Sequence, residues 1–173
     1  CIVMLTAQRL RYLLHYVPET GFFVRRVAVG RHGRHKAGLI VGHQNAGDGY
    51  ITIRVDGPLY LAQRLVWLYM TGEWPKHHID HKNLTRNDNR WSNLREATHG
   101  QNVQNSSLRK NNTSGFKGAS IIKTQYTLAR PFRARITVNS KEIGLGYFAT
   151  AAEAHEAYLK AADKYYGEFR RAK

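Results

Sequence analysis

Helical spacing of apolar residues occurs twice in the first 74 residues. Leu10, Leu13 and Leu14 fall on one face of a short helix, for which Thr6 is the predicted N-cap. Further along, a second apolar group predicts a buried helix that ends near Gly72. The members of this group are Leu65, Val66, Leu68 and Tyr69.

Strand patterns lie between these two helices. Residues 50–55 alternate apolar and polar side chains, and an Asp56-Gly57 turn joins them to residues 59–61, which predicts a hairpin. Another strand is expected to begin at Phe22. Residues 1–74 are therefore predicted to form a small mixed sheet with helices, which supports the residues that follow.

Residues 75–105 carry a denser polar pattern. Ile79 leads a short predicted strand that ends at Asp80-His81, and turn-forming residues follow it. Asn93-Leu94-Arg95 predicts a returning strand, and Thr98 is the predicted N-cap of a helix. Strand, loop, strand and helix in this order bring two strand ends and one helix face around a common point.

Residues 106–114 are polar and basic and are predicted to be a linker. Beyond them, residues 115–173 form a separate predicted domain. Residues 132–138 alternate as a strand with one wet face, and residues 142–148 form the next strand. Thr150 then caps a predicted helix that ends before Gly167. Its expected inward stripe is Ala154, Ala157, Tyr158, Ala161 and Tyr165.

Charge narrows the choice of partners. The chain of 173 residues has 27 Lys and Arg against 12 acids, a formal net charge of +15. Such an excess favours polyanions, because each neutralised phosphate releases counterions, although a solubilising surface charge is the alternative. The single cysteine excludes an internal disulfide and a Cys-based zinc knuckle, and it fits a reducing cytoplasmic setting. No apolar stretch is long enough for a membrane span, and no secretion-signal pattern is apparent.

The chemistry of the chain is concentrated at Asp80-His81. Two carboxamides, Asn93 and Asn102, follow 13 and 22 residues after the aspartate. Together these groups can bind one hard divalent cation and activate one water. In a protein this basic, the expected target of that water is a nucleic-acid phosphate. The alternatives are an aspartate that caps a turn and a buried structural histidine.

The run from His78 to Asn105 resembles the HNH nuclease family, in the form typical of phage and intron homing endonucleases. The resemblance rests on the Asp-His pair, Asp88-Asn89, Asn93-Leu94-Arg95 and Asn102, all in one register. It implies an α+β fold with a ββα-metal (His-Me finger) core at residues 75–105. It also implies phosphodiester hydrolysis to a 5′-phosphate and a 3′-hydroxyl.

The same resemblance implies a role for each site residue. Asp80 and Asn102 hold one Mg²⁺ (or Mn²⁺) ion, and His81 is the general base. Asn93 orients the His81 ring or ties the two strands together. Flanking phosphates are expected at Lys82 and Arg95, and the secondary candidates are Asn105 and His78. A zinc site built on His77 and His78 is disfavoured.

Residues 115–173 resemble the AP2 DNA-binding domain, on residues 114–118, 132–136, 145–150 and 153–158. The pattern departs from that family between Ala119 and Pro131. The resemblance implies a three-stranded antiparallel sheet that is packed on one helix and contacts DNA. Across the chain, the predicted DNA-binding residues are Arg31, Arg34, Lys36, Lys82, Arg95, Lys117, Arg130, Arg133, Arg135 and Lys141.

These features favour a phage-encoded, cytoplasmic HNH endonuclease of homing type that acts on double-stranded DNA. It is expected to act without a membrane or a small-molecule cofactor, as a monomer or weak dimer. One active centre per chain predicts nicking. Two alternatives remain: a catalytically inactive sequence-specific DNA-binding protein on a nuclease scaffold, and a basic RNA-binding or ribosome-associated protein.

Overall fold

The fold was obtained as a computed structural model. It describes residues 4–30, 35–105, 108, 111–124 and 128–169, apart from the side chains of Val103, Asn105 and Glu168. The chain divides into two compact units, Cys1–Ala97 and Thr98–Lys173. The division of the chain into four parts, which was expected from the sequence, is not tested by these two units and stays a prediction.

The first unit begins with a helix and a hairpin. Helix α1 spans Ala7–Leu13, and its predicted cap is confirmed, because the Thr6 side chain accepts a hydrogen bond from the Arg9 backbone N–H. Strands β1 (Leu14–Val17) and β2 (Phe22–Arg25) pair antiparallel. A short β3, Ile40–Val41, adds to β2 and gives the order β1-β2-β3.

A second sheet follows in the same unit. Strands β4 (His43–Gln44), β5 (Ile51–Arg54) and β6 (Leu59–Leu61) lie in that order, with both pairings antiparallel. Helix α2, Ala62–Thr71, continues directly from β6 and ends at the left-handed Gly72, as expected. The predicted hairpin of residues 50–61 is therefore confirmed.

The prediction of one mixed N-terminal sheet is wrong. The described residues of 1–74 form two separate three-stranded sheets, and every pairing in them is antiparallel. Short strands that follow one another through tight turns can only pair antiparallel, since a parallel pair needs a crossover of a dozen residues or more. Apart from the longer connection between β2 and β3, the connections here are too short for such a crossover.

One apolar core holds the first unit together. It combines residues of α1, β1, β2, β5 and α2. The most deeply buried large side chains in it are Tyr16, Phe23, Leu10, Leu14, Leu65, Leu68 and Val66. Ile79 and Leu94 belong to the same cluster, so the polar segment around residue 80 is seated directly on the core.

Two short strands complete the first unit. Strand β7 spans His78–His81 and pairs antiparallel with β8, Leu94–Ala97. The register places Asp80 opposite Arg95. Between the strands, residues 82–90 form a loop that ends in a single 3₁₀ turn, Trp91–Asn93. The predicted strand at Ile79 and the predicted return at Leu94 are both present.

The second unit begins with helix α3, His99–Asn105. Thr98 and Gln101 form a capping box, in which each side-chain oxygen accepts a backbone N–H of the other residue. A three-stranded antiparallel sheet follows, with β9 at Ala119–Ile121, β10 at Phe132–Val138 and β11 at Lys141–Phe148, in the order β11-β10-β9.

Helix α4, Ala151–Tyr166, packs against this sheet. Thr150 caps it as expected, and a 3₁₀ turn at Gly167–Phe169 ends it. The buried stripe is Ala154, Tyr158, Ala162 and Tyr166. Tyr165 was expected in this stripe but is 42% exposed, because the contact follows an i+4 row that passes through Tyr166 instead.

Among the described residues, no helix combines the length and the apolar character needed to span a membrane.

Candidate active site

Asp80 lies in the centre of β7 and is almost fully buried, with 4% of its side chain exposed. Its Oδ2 atom accepts a hydrogen bond from Nε of Arg95 at 3.0 Å and lies 3.0 Å from Nη2 of the same guanidinium. Arg95 comes from the facing position on β8 and is itself only 10% exposed. The carboxylate expected to bind a cation is therefore neutralised by a guanidinium that was expected to hold phosphate.

His81 follows at the end of β7 and is 3% exposed. Its Nε2 lies 3.0 Å from Oδ1 of Asn89. Because an amide oxygen only accepts, this contact is a hydrogen bond in the tautomer that carries the ring proton on Nε2. Burial lowers the pKa of His81 below its ordinary value, and it outweighs the opposing effects of Asn89 and Asp80. The ring is therefore neutral at neutral pH.

Asn89 was not among the expected site residues. It is 1% exposed, and its Nδ2 is buried with no hydrogen-bond partner in the part of the chain that the structure describes. Such a group costs roughly 1–3 kcal/mol of stability. In exchange for this cost, the loop places the Asn89 amide oxygen against the His81 ring, where it orients the ring.

The backbone of Asn89 is held by the N-terminal hairpin. The hydroxyl of Tyr16 donates to the Asn89 carbonyl at 2.7 Å. Gly21 has φ +78°, and a Cβ there would lie 2.5 Å from the Asn89 carbonyl carbon. Only glycine fits at this position. The first hairpin of the chain thus sets the position of the His81 ring through Asn89.

Asn93 fixes the same loop from its other end. Its Nδ2 donates to the Asp88 carbonyl at 2.8 Å, and its Oδ1 accepts the Asn83 backbone N–H at 3.0 Å. Its backbone carbonyl accepts from the Lys82 backbone N–H at 2.9 Å. The carboxamide therefore closes the loop, and Asn89 contacts the His81 ring.

Asp88 carries the negative charge of this loop. Its carboxylate accepts from Nε of Arg90 at 2.8 Å and from Nδ2 of Asn83 at 2.7 Å. The bond with Arg90 is the main reason that the pKa of Asp88 falls to about 2. This aspartate is thus charged at all ordinary pH values.

A cationic and aromatic pair borders the His81 ring. The ring of Tyr50 lies 5.9 Å from that of His81, and the Arg86 guanidinium lies 4.9 Å from the Tyr50 ring centre. Arg86 also donates to the Asp48 carbonyl at 2.8 Å. Arg86 was not predicted from the sequence. It lies among turn-forming residues, and its contacts, Tyr50 and Asp48, are distant in the sequence and come close to it only in the folded chain.

The remaining expected site residues lie as follows. His78 is exposed at the start of β7, and Asn102 is exposed on α3, in the second unit. The Asn105 side chain lies outside the described residues. Within the described ranges, no group of three or more His, Cys, Asp or Glu residues has the arrangement of a metal site.

The expected DNA-binding residues have varied surroundings. Lys82 Nζ donates to the Ser92 carbonyl at 2.8 Å, and Lys117 Nζ donates to the Gln104 carbonyl at 2.6 Å. Exposed positions are held by Lys36, Arg130, Arg135 and Lys141, whereas Arg133 is intermediate. Arg31 and Arg34 lie outside the described residues.

In comparisons with known proteins, residues 60–104 match the model of an HNH endonuclease family. That segment contains α2, β7, β8, the loop between them and most of α3, so it includes Asp80, His81, Asn89 and Asn102. No curated protein and no solved structure matches the chain. The matched domain suggests nuclease activity on DNA, and it matches the part of the sequence on which the HNH resemblance rests.

Proposed function

We propose that this protein is a metal-dependent DNA endonuclease of homing type, encoded by a phage. The observation that carries the proposal is the buried Asp80-His81 pair on β7, with the His81 ring fixed by Asn89. It lies within the segment that matches the HNH model. Hydrolysis of duplex DNA then yields a 5′-phosphate and a 3′-hydroxyl.

The residues present fit a hard divalent cation. Asp80 offers a carboxylate oxygen and Asn102 a carboxamide oxygen, the donors that Mg²⁺ and Mn²⁺ prefer. The Asp80 carboxylate is buried, and in this structure the positive charge that neutralises it comes from Arg95. When bound, the ion would contact the scissile phosphate and stabilise charge on the leaving 3′ oxygen.

His81 acts as the general base in this mechanism. The neutral imidazole accepts the proton of the attacking water, and the contact between Nε2 and Asn89 orients the ring. Burial keeps the pKa of His81 low, which maintains the proton-accepting form at neutral pH. Asn93 holds the loop that carries Asn89, and its role is to position that loop.

Basic residues of both units hold the duplex. In the first unit, Arg95 and Lys82 are the proposed contacts to flanking phosphates. In the second unit, the AP2-like sheet presents Arg133 and Arg135 on its outward face. The net charge of +15 adds non-specific affinity for any polyanion.

One observation favours a second candidate, an inactive DNA-binding protein on a nuclease scaffold. Arg95 makes two contacts to the carboxylate on which metal binding depends. A protein in which this pair never opens would bind DNA without cutting it. The two candidates differ in one property, which is cleavage in the presence of a divalent ion.

A plasmid nicking assay tests the proposal. Supercoiled plasmid is incubated with the wild type in Mg²⁺ and in EDTA, and with His81→Ala in Mg²⁺. His15→Ala serves as the control, since His15 is an exposed histidine on β1 with no proposed role at the site. We expect nicking only by the wild type and His15→Ala in Mg²⁺. Nicking in EDTA or by His81→Ala at the wild-type rate excludes the mechanism, and binding without nicking favours the second candidate.

A further inference from the structure

Two arginines on the outward face of the C-terminal sheet share one carboxylate. Arg133 and Arg135 stand two residues apart on β10, and both are ion-paired with Glu142 of β11. Arg133 Nη2 contacts Oε1 and Arg135 Nη1 contacts Oε2, each at 2.8 Å. Each guanidinium therefore binds a different oxygen of the same anionic group.

These ion pairs are too exposed to serve mainly as stabilising contacts. The three side chains keep between 40% and 49% of their surface exposed. Ion pairs at this exposure contribute little to folding, since water screens them and long side chains lose freedom. The same exposure means that an external anion can replace the carboxylate without disturbing the fold. Arg133 and Arg135 together form a fork, in which each guanidinium is positioned to bind one of two oxygens of the same anion.

Gly144 leaves open space beside this fork. It faces Arg135 in the β10–β11 register, and a Cβ on it would meet nothing within 4 Å. Its φ is not in the left-handed region, so the backbone does not require glycine there. A glycine inside a strand weakens the strand and often marks a place where another backbone approaches closely. Tyr147, which is 56% exposed, faces Arg133 on the same pair of strands.

We propose that Glu142 is an internal substitute for a DNA phosphodiester. On binding, two non-bridging oxygens of one phosphate take the places of the carboxylate oxygens between Arg133 and Arg135, with the DNA backbone close to Gly144. The displaced carboxylate then repels the phosphate chain. Glu142 therefore weakens binding to every duplex. Only a duplex that makes further contacts with the protein is then bound tightly. This inference rests on the proposed DNA binding.

The matched pair Glu142→Gln and Glu156→Gln tests this role. Both variants remove one negative charge from the second unit, and Glu156 is exposed on α4. Binding of each to a random-sequence duplex is measured by fluorescence anisotropy in EDTA over a range of salt. We expect roughly tenfold tighter binding for Glu142→Gln and less than about twofold for Glu156→Gln at low salt. The slope of log K against log salt should steepen by about 0.9 for Glu142→Gln alone, because Arg133 and Arg135 then set one more net positive charge against the phosphate chain.

Three results would overturn the proposal. Equal effects of the two variants would make net charge the cause, and unchanged binding by Glu142→Gln would remove its role. Tighter binding with an unchanged salt slope would point to a base edge instead of a phosphate. If circular dichroism shows that Glu142→Gln is poorly folded, Arg135→Gln replaces it in the test. Arg135→Gln should bind the duplex more weakly than the wild type, with a shallower slope of log K against log salt.

The outcome is separable from that of the nicking assay. Binding in EDTA does not depend on His81 or on a metal ion. Nicking by the wild type together with unchanged binding by Glu142→Gln would end this inference alone. The expected change in binding without any nicking would instead leave this inference standing and remove the endonuclease.

Discussion

Asp88 makes the stability of the loop of residues 82–90 depend on pH. Its pKa is lowered from 3.8 to about 2, chiefly by the hydrogen bond from Arg90 and also by Asn83. A depressed carboxyl pKa adds stability above the unfolded value, and this contribution is lost as the pH falls from about 4 through 2. Because Arg90 is half-exposed and screened, we expect a contribution of roughly 1 kcal/mol.

The measurement is urea unfolding of the wild type and Asp88→Asn between pH 2 and pH 6. The wild type should be more stable than Asp88→Asn by that amount above pH 4, and the two curves should converge near pH 2. A difference that stays constant over this range would mean that the charge of Asp88 is not the source of its contribution.

Asn89 is the residue that the sequence could not identify. Four asparagines lie between residues 83 and 93, and all of them have the same chemistry and similar turn propensity. Which one reaches His81 depends on Tyr16 and Gly21, which stand about 70 residues earlier and hold the Asn89 backbone. Asp80, His81 and Asn93 could be found because their spacing is local. The partner of the His81 ring is set by tertiary contacts, so no local pattern contains it.

Replacing Asn89 should therefore reduce catalysis more than DNA binding. In Asn89→Ala the His81 ring loses its acceptor, and we expect nicking about 10–100-fold slower, the loss typical of an orienting partner. Asn87→Ala is the control, since Asn87 lies exposed in the same loop. The nicking rate is compared with duplex affinity, and ¹⁵N NMR of His81 reports the tautomer. An unchanged tautomer in Asn89→Ala would contradict the positioning role.

At the scale of elements, β7 and β8 are joined through the buried pair of Asp80 and Arg95. Removing one partner leaves an uncompensated buried charge, so Arg95→Met should lower the free energy of unfolding by about 3–5 kcal/mol. Asp80→Asn in combination with Arg95→Met should recover part of this loss, because neither charge then remains. Urea unfolding of the two single variants and the double variant measures the coupling. Additive losses would show that the pair contributes nothing beyond its two members.

The hairpin of β1 and β2 contacts the loop of residues 82–90 at Gly21. Gly21→Ala adds a Cβ against the Asn89 backbone as well as a strained φ, so we expect a loss of about 3 kcal/mol or more and slower nicking. Gly49→Ala is the matched control, since Gly49 has a similar φ of +75° with nothing within 4 Å. It should lose only about 1–2 kcal/mol and nick normally. Equal effects on thermal unfolding and nicking would mean that the contact with Asn89 is unimportant.

Elements with local signals could be predicted, whereas sheet membership could not. The caps at Thr6 and Thr150, the Asp56-Gly57 turn and the end of α2 at Gly72 each depend on a few neighbouring residues. Strand β1 continues directly from α1, so its leucine extends the helical pattern and conceals the change of structure. The pairing partner of a strand depends on residues that are distant in the sequence. For this reason the prediction of one mixed sheet in residues 1–74 was wrong.

At the scale of the whole molecule, the segment that matches the HNH model crosses the boundary between the two units. Asp80, His81 and Asn89 belong to Cys1–Ala97, and Asn102 belongs to Thr98–Lys173. Each unit has an apolar core of its own, formed in the second by α4 and its sheet. We therefore expect the fragments 1–97 and 98–173 to fold separately, which circular dichroism and cooperative unfolding would establish.

If Asn102 is a metal ligand, the fragment 1–97 should not nick plasmid in Mg²⁺ although it retains the general base and Asn89. The full chain supplies the controls: Asn102→Ala should lose nicking and bind Mn²⁺ more weakly in calorimetry, and Asn102→Asp should keep Mn²⁺ binding because it preserves an oxygen donor. Fragment 98–173 should bind duplex DNA without cutting it, since it carries the arginine fork but neither Asp80 nor His81. Nicking by a folded fragment 1–97 at the full-chain rate would remove Asn102 from the site and confine the chemistry to the first unit.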